Sequence, residues 1–239
     1  MAKKNNKGFS LLEILVAMAL VTVMFSLVVN VNFSDRDISS DFINRIILAA
    51  ETCSDEASLK NTKTRIKFNL SALVVDEDEE LEANFTQSIF FEYSLDNQIF
   101  DQEKVVNRED LTQGELENFI KKNNQISKNY GLLKDLESGE IKLEENIKIL
   151  GIGYPIENKF QTSLSSSINF YPSGDKDAAI VFFTDLKEIH YLVIPPFGLN
   201  IKYENTLIEN LENAEEEEFF EIAQLQAKEI FESIRLNSI

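Results

Sequence analysis

A carboxylate inside an apolar segment, a single histidine, a single cysteine and a dense run of acids are the parts of this sequence that could do chemistry. Glu13 is the only charged side chain between Phe9 and Phe33. A carboxylate at that depth in an apolar segment is costly unless a cation pairs with it, so Glu13 calls for a partner. His190 is the only histidine and lies in a run that reads as a strand, where one imidazole is more often a packed residue than a general base. Cys53 falls on the apolar stripe of a helix and reads as a small buried hydrophobe. With no second cysteine, no intramolecular disulfide can form. Asp76-Glu-Asp-Glu-Glu80 with Glu82 puts six acids in seven residues. Oxygen ligands from Asp76, Asp78 and Glu80 could hold Ca²⁺, but the run has no Gly and no regular ligand spacing, so a solvated loop is the expectation and no cofactor is assigned. No G-x-S-x-G, P-loop, H-E-x-x-H or C-x-x-C occurs, and among 41 acids any carboxylate pair is uninformative. An enzyme is not expected.

The elements that must position these groups follow from charge and hydropathy. The chain has 239 residues, 23 Lys+Arg against 41 Asp+Glu, and a net charge of −18. At 44% hydrophobic and 27% charged it is globular in composition. The acidic balance disfavours nucleic acid as a partner, since phosphate neutralisation needs a basic face. Lys3, Lys4 and Lys7 precede the apolar run, and nearly all the acids follow it. From Ile14 to Phe33 about 20 residues span roughly 30 Å as a helix, the thickness of a hydrocarbon core. Lysines before the span and acids after it place the N-terminus in the cytoplasm and the rest across the membrane. The run is too long for a usual signal-peptide h-region, no small-x-small cleavage site follows, and Glu13 interrupts it.

The string Lys7-Gly8-Phe9-Ser10-Leu11-Leu12-Glu13 resembles the class III leader of type IV pilins and pseudopilins. The resemblance implies cleavage by a prepilin peptidase between Gly8 and Phe9 and N-methylation of Phe9. It also implies a role for Glu13 in assembly, its carboxylate pairing with the N-terminal ammonium of a neighbouring subunit. The implied partners are other pilins or pseudopilins, the peptidase and inner-membrane lipid, with the C-terminal domain periplasmic.

Beyond the membrane, Ile38, Phe42, Ile46, Ala49, Cys53 and Ala57 recur at helical spacing, widened by Ile43, Ile47 and Ala50. No Gly or Pro falls between Phe9 and Gln113, so a helix from Phe9 to about Lys60 would be roughly 78 Å long. Ser34-Asp-Arg-Asp37 is a possible capping box, which leaves a kink there open. Thr64 to Leu70 and Gln87 to Tyr93 alternate as half-buried strands should. Arg108 to Asn129 turns helical, with Thr112-Gln-Gly-Glu115 as a capping box, and reads as a helix inserted over a sheet edge. Asn129 to Gly139 reads as a loop or short turn region. Ile141 to Ile149, Ser167 to Tyr171, Ala179 to Thr184, Glu188 to Ile194 and Leu199 to Tyr203 read as five strands, punctuated by Gly151, Gly153-Tyr-Pro155, Pro172-Ser-Gly174 and Pro195-Pro-Phe-Gly198. Short connections imply antiparallel neighbours.

Ile168-Asn-Phe-Tyr-Pro-Ser-Gly174, Ala179-Ile-Val-Phe-Phe183 and Tyr191-Leu-Val-Ile-Pro-Pro-Phe-Gly198 resemble the C-terminal signature of the H-type minor pseudopilins of type II secretion, as does the passage from helix to strand at Ala57 to Phe68. The expected class is therefore α+β and pilin-like, a long N-terminal transmembrane helix packed on an antiparallel β-sheet domain, with an inserted helix and an appended C-terminal helix. The parts are a leader (1–8), the membrane and filament helix (9–33), the periplasmic half of the stem (34–60), a β-rich domain (61–203) and an acidic helical extension (204–239). In the extension, Glu204 to Glu221 holds eight acids and no base. Its apolar face would pack on the domain or dock a partner subunit. The expected function is that of a minor pseudopilin in a type II secretion system. The alternatives are a minor pilin of a type IV pilus and a membrane-anchored periplasmic binding module.

Overall fold

A computed structural model describes residues 18, 40–70, 72–73, 83–84, 87–96, 105–143, 146–198, 200–209 and 216–237. The chain divides into two units, Met1–Arg45 and Ile46–Ile239. In the first, the described residues, Met18 and 40–45, are helical. Among the described residues no helix is long and apolar enough to cross a membrane, and the expected span over 14–33 lies outside them except for Met18. The possible kink at Ser34 to Asp37 also lies outside them.

Helix α1 covers 40–60. Its part in the second unit buries Ile46, Ala49, Ala50, Cys53 and Ala57, the expected stripe, whose small side chains permit close approach of the helix to a sheet. The stop is local. Asn61 takes a left-handed conformation (φ 49°) and the Thr62 N–H donates to the Ala57 carbonyl at 3.1 Å, which is a Schellman cap closed by Asn in place of Gly. The Thr64 hydroxyl then donates to the Cys53 carbonyl at 2.7 Å and ties helix to strand.

Among the described residues twelve strands follow. β1 (Thr64–Asn69), β4 (Ser88–Ser94), β5 (Tyr130–Leu132), β6 (Glu140–Lys142) and β9 (Ser165–Phe170) form one antiparallel sheet, ordered β5-β4-β1-β9 with β6 also on β4. β7 (Lys148–Tyr154), β8 (Lys159–Gln161), β10 (Ala179–Thr184), β11 (Glu188–Ile194) and β12 (Lys202–Leu207) form a second, ordered β12-β11-β10-β7-β8. β2 (Ala72–Leu73) and β3 (Ala83–Asn84) pair with each other.

In the first sheet the period-2 alternation is strict. Ile66, Phe68, Ile89, Phe91, Ile168 and Phe170 lie on one face and are all at most 1% exposed. Arg65, Lys67, Glu92 and Asn169 lie on the other. That second face is covered as well, because α2 (Gln113–Ser127) crosses it. Lys67 Nζ donates to Ser127 Oγ at 2.9 Å, and Asn123 Nδ2 to Ser165 Oγ at 3.1 Å. On that face Arg65 is buried while Lys67 and Asn69 are half-buried, and α2 reaches both β1 and β9. The α2 capping box forms as the sequence suggested, with the Thr112 N–H and hydroxyl donating to the Glu115 carboxylate at 3.0 and 2.6 Å. Those bonds hold the Glu115 carboxyl below its ordinary range.

Side chains join the two sheets. Tyr154 Oη bonds Ser166 Oγ and donates to the Ser167 carbonyl, Gln161 donates to the Ser165 carbonyl, and the Gln87 amide bonds both the N–H and the carbonyl of Ile149 as a strand would. On the second sheet, Leu150, Phe160, Ile180, Phe182 and Tyr191 pack against Ala223, Ala227 and Phe231 of α3 (Glu216–Asn237). The register of β7 against β10 shifts at Phe182/Phe183, leaving Leu150 as the extra residue of a bulge. Gln224 of α3 donates to the Leu150 carbonyl at 2.8 Å.

Several expectations need correction. Ile141 to Ile149 is not one strand but the end of β6, a break and the start of β7. Gly151 and Gly153 lie inside β7, where they serve close approach: a Cβ on Gly153 would sit 2.3 Å from the Phe231 ring, and one on Gly151 would sit 2.8 Å from the Phe160 ring. The loop over Asn129 to Gly139 contains β5, and β8 carried no signal that set it apart. The last described strand runs from Lys202 to Leu207, so it crosses the expected boundary at 203/204, and the described helix of the extension covers Glu216–Asn237.

The buried Cys53 supports a prediction. Burial raises its thiol pKa to about 12 from 9.0, partly offset by the bond with Thr64. The native state therefore holds the proton longer than the unfolded chain, and stability is lost as pH rises from about 9 to about 12, by up to about 1.4 kcal/mol per pH unit. Alkaline denaturation of the full chain in detergent should show this extra loss, and Cys53→Ala should remove it. Equal alkaline profiles for the two proteins would contradict the assignment.

Candidate functional site

The processing and assembly residues, Gly8, Phe9 and Glu13, lie outside the described residues, as do the acids Asp76, Asp78 and Glu80. The second unit can be searched for other chemistry. His190, in β11, is 5% exposed. Its Nε2 faces the Asp185 carboxylate at 3.3 Å and its Nδ1 bonds the Tyr203 hydroxyl at 2.9 Å, with the two rings stacked at a 6.0 Å centroid distance. Asp185 also accepts the N–H groups of Lys187 and Glu188, an Asx turn closing β10 to β11. The Nδ1 bond thus ties β11 to β12, while Nε2 faces Asp185 without a hydrogen bond. The Tyr203 hydroxyl has its pKa raised by burial and by the charges of Glu188 and Asp185, which is the wrong direction for a nucleophile.

A second polar constellation was not visible in the sequence. Arg65 is 1% exposed, and its Nε donates to Glu92 Oε2 at 2.7 Å while its guanidinium carbon sits 3.6 Å from the centroid of the Tyr130 ring. Arg65 and Glu92 are direct cross-strand neighbours of β1 and β4. Buried on the sheet face under the Tyr130 ring, this pair links β1 to β4 in register. A third joins the two turns that the sequence marked with Pro and Gly. The Lys176 N–H donates to the Pro196 carbonyl at 3.0 Å, and Lys176 Nζ donates to the carbonyl of Gly198, whose φ of 78° a side chain would strain. Burial pushes the Lys176 pKa down. Asp177 accepts from the backbone and side-chain N–H of Asn169 and from the Tyr171 hydroxyl. Each of these groups is committed to holding loops and strands together.

Among the described residues no group of three or more His, Cys, Asp and Glu is placed to hold a metal ion. Residues 3–29 match the family model for the prokaryotic N-terminal methylation motif, a type IV pilin-like leader. That motif implies a membrane-anchored N-terminus, processing by a prepilin peptidase and partners of the pilin kind. No curated protein and no solved structure matches the chain.

Proposed function

We propose that this chain is a minor pseudopilin of a type II secretion system. It is cleaved between Gly8 and Phe9, methylated at the Phe9 amine, and assembled through its N-terminal helix into a periplasmic pseudopilus that aids protein export. The matched leader carries the reading. In support, the α+β unit has the strand-turn pattern that resembles the H-type subunits. The role is structural, with no reaction of its own. The leader stays in the cytoplasm, one helix crosses the inner membrane, and the β-rich unit lies in the periplasm.

In this role Glu13 neutralises the terminal ammonium of a neighbouring subunit inside the bilayer. Removing one partner of such a buried pair costs about 3–5 kcal/mol, a factor of roughly a hundred or more in an assembly equilibrium. Glu13→Ala should abolish cross-linking of the full chain to its pseudopilin neighbours, in cells that supply the secretion genes, while leaving its thermal unfolding unchanged. Undiminished cross-linking would leave only an anchor function for the segment.

A further inference from the structure

All six residues of β12 are exposed, so no buried apolar face fastens this strand to β11. Beyond the backbone ladder, three side-chain bonds do so: His190 Nδ1 with the Tyr203 hydroxyl, Tyr191 Oη to Glu204, and Asn205 Nδ2 to Glu188. The Ile208 N–H then donates to the Lys187 carbonyl at 3.2 Å, and the Glu209 backbone bonds the Gln226 amide of α3. The turn between β10 and β11 thus anchors both β12 and the entry to the helical extension. That turn is strained, because Leu186 adopts a φ of 72°, a left-handed conformation that favours glycine.

His190 stands among these ties. From β10 its cross-strand neighbour is Phe183, from the turn come Asp185 and the exposed Lys187, from β11 Glu188, and from β12 Tyr203 and Asn205. Its Nε2 is buried 3.3 Å from the Asp185 carboxylate and makes no hydrogen bond. A neutral imidazole carries one N–H. Placed on Nδ1, it leaves a lone pair opposite the carboxylate; placed on Nε2, it leaves Nδ1 to accept from Tyr203. In both forms the carboxylate faces an uncharged ring. A second proton turns that contact into an ion pair and makes the Nδ1 bond to Tyr203 charge-assisted. Burial opposes a charge on the ring, and two carboxylates favour it. Their influence reaches this site, since burial and then the charges of Glu188 and Asp185 raise the pKa of the Tyr203 hydroxyl.

We propose that His190 is a proton-operated latch, which on acidification pairs with Asp185, grips Tyr203 and tightens β12 and the start of the extension on the sheet. The ion pair and the charge-assisted bond exist only while turn, β11 and β12 are together. The closed arrangement therefore binds the proton more tightly than an open one, and closure is favoured as pH falls. The latch does not require the filament role.

The test uses the full chain, ¹⁵N-labelled in detergent micelles. His190 is the only histidine, so its ring signals are unambiguous. Between about pH 7.5 and about pH 5.5, the range in which imidazole ordinarily gains its proton, the ring ¹⁵N shifts should move to the imidazolium pattern. Over the same range exchange at Ile208 and at Thr206, next in the same alternation, should slow by about threefold or more relative to the intrinsic rate, with β1 and β4 unchanged. His190→Gln, which takes no proton, and Asp185→Asn, whose oxygen can still accept the turn N–H groups, should each abolish the response. A ring that stays neutral, protection that is constant or falls in acid, equal slowing in β1 and β4, or a response kept by either variant would each overturn the proposal.

Discussion

Glu92→Ala should destabilise the β-rich unit by about 3–5 kcal/mol, because it strands the Arg65 guanidinium without its carboxylate in a site closed to water. The geometry sets the size of the effect. Arg65 is 1% exposed, its Nε lies 2.7 Å from Glu92, and the Tyr130 ring covers it from one side. Replacing both partners with apolar residues of similar volume removes the stranded charge. The double variant Arg65→Met with Glu92→Leu should therefore recover most of the loss. Urea unfolding of the full chain in detergent separates the cases. A single variant within about 1 kcal/mol of the parent would place the pair among exposed ion pairs of small effect.

Gly153→Val should release α3 from the second sheet. A Cβ at this position would meet Phe231 Cδ2 at 2.3 Å and Cε2 at 2.6 Å, and that ring is fixed by Phe160 at 5.7 Å between centroids. Overpacking of a filled core costs about 1–3 kcal/mol and sometimes more. Here a branched side chain stands directly under an aromatic ring, so the upper end or beyond is expected, with α3 amides losing exchange protection before the sheet does. Gly153→Ala combined with Phe231→Leu trades volume across the same contact and should restore much of the stability. If Gly153→Val leaves α3 protected, the helix does not depend on this contact.

Both predictions rest on contacts that the sequence did not announce, and the reasons are physical. β1, β4, β10 and β11 were legible because each alternates or forms an apolar run between turn residues, and the bounds of β10 and β11 agree with the reading. The alternation of β1 correctly divided its two faces. It does not encode that α2 and the Tyr130 ring cover the polar face, so the strand read as half-buried. β12 was misplaced because a strand exposed at all six positions has no core face to impose a period, and the acids that follow it suggested that the helix began there. Gly151 and Gly153 looked like turn residues, since the need for space beneath Phe160 and Phe231 arises only when the chain is folded. β5 is three residues long, too short for any pattern. The leader stands apart. Its signal is carried by local residue types, so the methylation motif over residues 3–29 needs no fold to be read.

The direct test of the assembly role is the intact mass of the full chain after co-expression with a prepilin peptidase. A chain starting at N-methylated Phe9, with its first eight residues lost and the loss impaired by Gly8→Ala, is the predicted result. A chain that keeps Met1 through Gly8 while Glu13→Ala has no effect on cross-linking would contradict it.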